Sequence, residues 1–218
     1  MNAKTNLSKG QKTRQAVLDV AESLFGQRNF DGVSIRDVAL AAEMSLGAVS
    51  YHFKSKEALF EETAARRAVD IERERLHLLA KLDDPSPAEI LDAFCRPMFK
   101  RLEQPEWRNY MGMIREIVFN DRWLHLLPRL FGPTVDKFHD ALAKAYPDVS
   151  KEIVSRAFYY VISLLVAVAN DTAHFETVTH GVYGGDPNLT NVDANYAQFH
   201  TFAVAGFQGL MLRAYQST

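Results

Sequence analysis

Glu74/His77, Asp136/His139 and Asp171/His174 each place a carboxylate three residues before a histidine. On a helix that spacing puts both groups on one face, which is how carboxylate-bridged di-iron bundles present their ligands. The chemistry also needs further inward-facing Glu residues, and none match. Two of the pairs carry Asp, one methylene short, and Glu74 and His77 lie in the most charged stretch of the chain. His174 with His180 is a weaker metal pairing. No Ser-His-Asp set and no glycine-rich phosphate loop stands out. The sequence therefore assigns no catalytic residue, no metal and no cofactor, and reads as a protein that is not an enzyme.

Recognition is the chemistry left, and "SLGAVSYHF", residues 45–53, carries it. Ser45 is a helix cap, and Val49 and Phe53 anchor the segment to a core. Gly47 and Ala48 keep the backbone approachable, while Ser50, Tyr51 and His52 leave polar or aromatic tips free. A helix this short with so little apolar face of its own is completed by another surface.

The bulk numbers bound the answer. The chain has 218 residues, of which 47% are hydrophobic and 24% charged, as in an ordinary globular protein. The single Cys95 forms no internal disulfide, which fits a reducing cytoplasm. The polar, basic start "MNAKTNLSKGQKTR" has no apolar signal region. The apolar run 157–169 is shorter than the ~20 residues of a membrane span and reads as a buried helix. Residues 1–60 hold eight Lys/Arg against six Asp/Glu, so the first segment is +2 within a chain of net −2. That asymmetry suits an anionic partner for the N-terminal part.

Helical periodicity dominates, with no convincing alternating strand, and the fold class is all-α. Helices are expected over 11–26, with Gly26 near the end, and after Ser34, whose cap pairs with Asp37 in a capping box. Ser55 caps a long helix to about 82, its charged second half read as a solvated face. "DDPSP" (83–87) breaks the chain. Further helices are expected over 87–103, 106–120, 124–146, 150–171 and 194–216, with Pro97, Pro128 and Pro133 bending or dividing some of them. A head of residues 1–54 and a bundle of 55–218 follow as the domains.

The second and third helices, joined across "AAEMS", have helix-turn-helix spacing, which would set the third in a major groove. "AVLDVAESLF…NFDGVSIRDVALAAEMSLGAVSYHFKSKEALF" resembles the N-terminal domain of the TetR family of bacterial transcriptional regulators over residues 11–60. The resemblance implies a ligand-responsive homodimer on a palindromic double-stranded DNA operator, usually as a repressor. It implies that Ser34 and Arg36 meet the backbone or a base edge. Ser45, Leu46, Gly47, Ala48 and Tyr51 would form the base-facing end of the recognition helix, and His52 and Lys56 would contact phosphates. Lys4, Lys9, Lys12 and Arg14 form a basic arm adding salt-sensitive affinity. Glu43 stands in the family's glycine position, at a cost of about 1 kcal/mol if that backbone is left-handed. Leu46 replaces a polar or basic residue and offers an apolar touch to a thymine methyl. Ser50 replaces a tyrosine, with Tyr51 beside it, and Asn29-Phe30 replaces Gly-Phe.

In the bundle, helix 150–171 is apolar nearly all round, and 194–216 carries small residues suited to close approach. Phe158, Ile162, Leu165, Ala205, Gly206 and Gly209 are the expected dimer contacts. Met and aromatic density marks an adaptable apolar effector cavity lined by Met98, Trp107, Met111, Phe119 and Trp123. Arg115, His139, Asn170 and His174 are its polar handles. The pattern is similar to TetR-like regulators that answer to acyl or other lipophilic effectors. The rival readings, a helical-bundle metal enzyme and a non-specific DNA-packaging protein, lack respectively the inward carboxylates and a strongly positive charge.

Overall fold

The computed structural model describes residues 8–169, 177–178, 180 and 192–216. Among them there are helices and no strands. The first three helices, α1 (Lys9–Arg28), α2 (Ile35–Ala41) and α3 (Leu46–His52), form a small head. Val17, Leu18, Ala21 and Phe25 of α1 meet Val38, Ala39 and Val49 in its buried centre. α4 (Lys56–Leu79) leaves the head and leads into α5 (Pro87–Arg101), α6 (Pro105–Phe119), a 3₁₀ turn (Asp121–Trp123), α7 (Leu126–Leu130), α8 (Gly132–Ala145), α9 (Lys151–Ala169) and α10 (Val192–Gln216). α10 packs on α9 and α5, α8 on α5 and α9, and α6 on α1, α4 and α9.

Capping sets the helix starts. Ser8, Ser34 and Ser86 each accept a hydrogen bond from the amide of the third residue of their helix, whose side chain accepts one from the cap amide. The stretch 124–146 is divided, as its prolines led one to expect. Pro128 and Pro133 cannot donate to a helical ladder, and Phe131 ends α7 by donating its amide to Leu127 O at 3.0 Å. Pro133 then sits in the first turn of α8, where its missing N–H costs nothing. Pro97 behaves differently and lies inside an unbroken α5. α9 has the length and apolar composition of a membrane span. Its Val154, Phe158, Val161 and Leu165 are buried in the protein core.

Gly26 lies near the end of α1, which runs on to Arg28 and stops at Asn29 with φ 58°. Its role is a crossing. A Cβ on Gly26 would lie 2.2 Å from the Asn109 carbonyl oxygen of α6, and one on Gly112 would lie 2.3 Å from the Gly26 carbonyl oxygen. Two backbones touch there with no side chain between them. Gly112→Ala should lower unfolding free energy by about 1–3 kcal/mol, as overpacking does, measured by urea denaturation. Glu43 has φ 54°, the left-handed region anticipated from the sequence. Glu43→Gly should raise stability by about 1 kcal/mol in the same assay.

Candidate nucleic-acid interface

The head presents α2 and α3 on one side. The Ser34 amide donates to Asp37 Oδ2 at 2.7 Å and the Asp37 amide donates to Ser34 Oγ at 3.1 Å. Hydrogen bonds from the Ser34 hydroxyl and then its amide hold the Asp37 carboxyl below its ordinary pKa. This cap is therefore intact at neutral pH and is lost as pH falls through the depressed value. It fixes the first turn of α2 and with it Arg36, which is exposed.

α3 is held from beneath. Ser45 Oγ accepts the Ala48 amide at 3.2 Å, and Val49 and Phe53 are buried. The outer side carries Leu46 (43% exposed), Gly47, Ser50 and Tyr51 (85% exposed). Pairs 46/50 and 47/51 are one helical turn apart, so the four form a single strip. A Cβ added to Gly47 would meet nothing closer than Ser45 Oγ at 4.0 Å. Nothing inside the protein requires glycine there. His52 is half-buried, its ring 5.3 Å from that of Tyr51. Leu40, which sequence reasoning passed over, is 80% exposed one turn after Arg36.

Lys56, an expected phosphate contact, and Arg14, of the expected basic arm, each have partners within the protein. Lys56 Nζ donates to Phe30 O at 3.0 Å and Val33 O at 2.9 Å and lies 3.9 Å from the Phe30 ring centre. It ties α4 to the α1–α2 turn, leaving one ammonium proton for anything else. Arg14 is paired with Glu62 and lies over the Phe53 ring. Lys9 and Lys12 lie on the exposed first turns of α1 rather than on a free arm, and Lys4 falls outside the described residues.

The head is locked to the body around α4. Glu22 of α1, only 2% exposed, accepts from Arg66 Nη2 at 2.8 Å and from Arg67 Nη2 at 2.8 Å. On the other side Trp123 stacks on Phe60 at 4.5 Å and meets Phe30 edge-on at 4.8 Å. Arg122 lies over Phe30 and pairs with Glu57 at 2.9 Å, and Arg129 pairs with Glu61 at 2.8 Å.

The residues expected to line an effector cavity take up varied positions. Trp123 belongs to this joint, Phe119 is exposed, and the guanidiniums of Arg67 and Arg101 both lie over the Trp107 ring. His139 bonds Ser155 Oγ at 2.8 Å, joining α8 to α9. Met98 and Met111 are core, Arg115 is half-buried, and Asn170 and His174 fall outside the described residues. The charged second half of α4 is not wholly solvated. Arg75 is buried, donating to Glu72 Oε1 and Phe94 O at 2.8 Å each. Glu72 Oε2 and Tyr110 Oη have no hydrogen-bond partner among the described residues. Of the expected dimer contacts, Phe158 and Leu165 point into the protomer's own core, whereas Ala205, Gly206 and Gly209 are exposed and Ile162 is half-buried. Tyr159, Tyr160 and Phe202 stand outward instead.

A helix-turn-helix head carried on an all-helical body defines the class. The family profile described as "Bacterial regulatory proteins, tetR family" matches residues 17–63. The one described as "Tetracyclin repressor-like, C-terminal domain" matches residues 92–206. The chain belongs to the TetR family. It is 30% identical over 118 residues to the HTH-type transcriptional regulator AcrR of Shigella flexneri, spanning 54% of this chain and 53% of that protein. It is 31% identical over 81 residues to the HTH-type transcriptional repressor BepR of Brucella suis, spanning 37% and 38%. The chain thus matches about half the length of AcrR and less of BepR. The fold is shared with a TetR-like transcriptional regulator from Rhodococcus sp. RHA1 (TM-score 0.67, 17% identity, 94% of this chain and 100% of that one). It is also shared with the fatty acid degradation regulator FadR from Bacillus halodurans (TM-score 0.61, 12% identity, 94% and 97%).

Gly47 lets binding and folding be tested apart. Gly47→Ala should stabilise α3 by about 0.5–1 kcal/mol while weakening duplex binding, because the added methyl stands on the outer strip. Thermal melting and fluorescence anisotropy on the same variant check both halves.

Proposed function

We propose that this protein is a dimeric, ligand-responsive DNA-binding regulator, a repressor released from a near-palindromic operator by a small lipophilic effector. The observation that carries the reading is the outer strip of α3. It is exposed, anchored from below by Val49 and Phe53, and includes a glycine with no intramolecular duty. A recognition helix set in a major groove needs such a strip. Ser34, Arg36, Ser45 and Ala48 position or flank it, and His52 and the remaining proton of Lys56 stand at its edge for phosphates.

Two heads read two half-sites about 34–36 Å apart if the bodies pair by two-fold symmetry. The apolar side of α9 and α10 supports that pairing. Phe202 is 70% exposed, and Tyr159, Tyr160, Leu210 and Leu212 are also exposed. Gly206 and Gly209 leave open space where a partner helix can approach closely. An effector is supported by Glu72 Oε2 and Tyr110 Oη, buried in the body near Arg75 with no hydrogen-bond partner among the described residues. Each buried polar atom that lacks a partner costs about 1–3 kcal/mol, so a ligand group bonding there gains affinity. Coupling to DNA equals the ligand's preference between head spacings, typically about 1–3 kcal/mol.

The test is selection from a random duplex pool, followed by sedimentation and anisotropy on the enriched duplex. Phe202→Glu should convert the dimer to a monomer with unchanged helicity and weaken duplex binding about a hundredfold by losing two-point attachment. A pool without an enriched sequence, or a variant that stays dimeric and binds normally, contradicts the reading.

A further inference from the structure

The outer strip of α3 also limits which chemistry can be read on the base pairs. Its side chains are Leu46, Ser50 and Tyr51, with the bare backbone of Gly47 between them. Across α3, "LGAVSYH", there is no Arg, Lys, Asn, Gln, Asp or Glu. Those are the side chains that fork onto guanine O6 and N7, onto adenine N6 and N7, or accept from cytosine N4. The hydroxyls of Ser50 and Tyr51 each donate or accept and so accommodate any base. His52 lies half-buried at the far end of α3. The strip discriminates by apolar contact, and the only apolar group on a major-groove edge is the C5-methyl of thymine.

We infer that α3 selects its half-site through thymine methyl groups, packed against Leu46 and the ring of Tyr51. Forked guanine recognition is left to Arg36 on α2. This rests on the DNA-reading role proposed above and names the chemistry that role uses. The strip is built for it. Leu46 and Tyr51 are the two large side chains standing out from α3, and neither side chain has a hydrogen-bond partner among the described residues. Gly47 between them lets the α3 backbone sit close enough for short side chains to reach the groove floor. Arg36 is exposed at the first turn of α2, beside the strip rather than within it.

The experiment takes the duplex enriched from a random pool and remakes it with deoxyuridine in place of thymidine in the half-sites. That removes the C5-methyl and keeps every hydrogen-bonding group. A second duplex carries 7-deazaguanine in place of guanine. Burial of one methyl corresponds to about a fourfold change in affinity, so one contact in each half-site gives about a fifteenfold loss with deoxyuridine. Leu46→Ala, at an exposed position, should bind the thymidine and deoxyuridine duplexes with less than half that discrimination. 7-Deazaguanine should weaken wild-type protein in a manner that Arg36→Ala abolishes and Leu46→Ala leaves intact. Deoxyuridine binding within twofold of thymidine overturns the inference while leaving sequence-specific binding in place. So does full discrimination retained by both Leu46→Ala and Tyr51→Ala, which would attribute the effect to duplex shape. A pool that enriches nothing overturns the reader itself, and this inference with it.

Discussion

Where α1 crosses α6, backbone meets backbone at Gly26 and Gly112, and the placement of the head follows from that contact. Side chains at a helix crossing can change rotamer and let the helices slide. Two touching backbones cannot. The crossing therefore acts as a fixed pivot, and the groups around it set the angle of the head. On one side Glu22 is gripped by Arg66 and Arg67, and on the other Trp123 is wedged against Phe30 and Phe60.

Those two grips differ in kind. Glu22 is nearly sealed from water between two guanidiniums, so removing either arginine leaves a buried charge under-compensated rather than merely losing a surface bridge. The aromatic contact is apolar and insensitive to salt, with Arg122 lying over Phe30 and reaching Glu57 from the same position. α6 bears on α1 through the glycines, while the turn that follows it bears on α4 through Trp123. A displacement of α6 by anything bound in the body is thus delivered to the head at two points.

Much of the head was legible in the sequence because its determinants are local. The Ser34–Asp37 box, the Ser45 and Ser55 caps, the buried Val49 and Phe53 and the left-handed Glu43 are each set within a few residues. The fold class and the family were legible for the same reason. What escaped notice depends on partners that leave no side-chain signature. Lys56 and Arg75 read as solvated or DNA-facing cations, but their acceptors are the carbonyls of Phe30, Val33 and Phe94, which any residue supplies. A helix that is apolar nearly all round does not say which apolar side faces inward, so Phe158 and Leu165 were placed on the wrong side of α9. Aromatic density announced that Trp123 is buried without announcing against what.

Lys56 carries a consequence for where this protein can be divided. Its ammonium closes the α1–α2 turn from the far side of residue 54, and Leu59 and Phe60, on the next turn, are part of the core that Phe25 and Phe30 fill. The natural seam between reader and body is therefore not the loop before α4 but a place farther along that helix. A chimera that grafts this head onto another regulator's body must carry the first two turns of α4 with it. Recombination that joined two such regulators between 53 and 55 would hand each a roof without its floor.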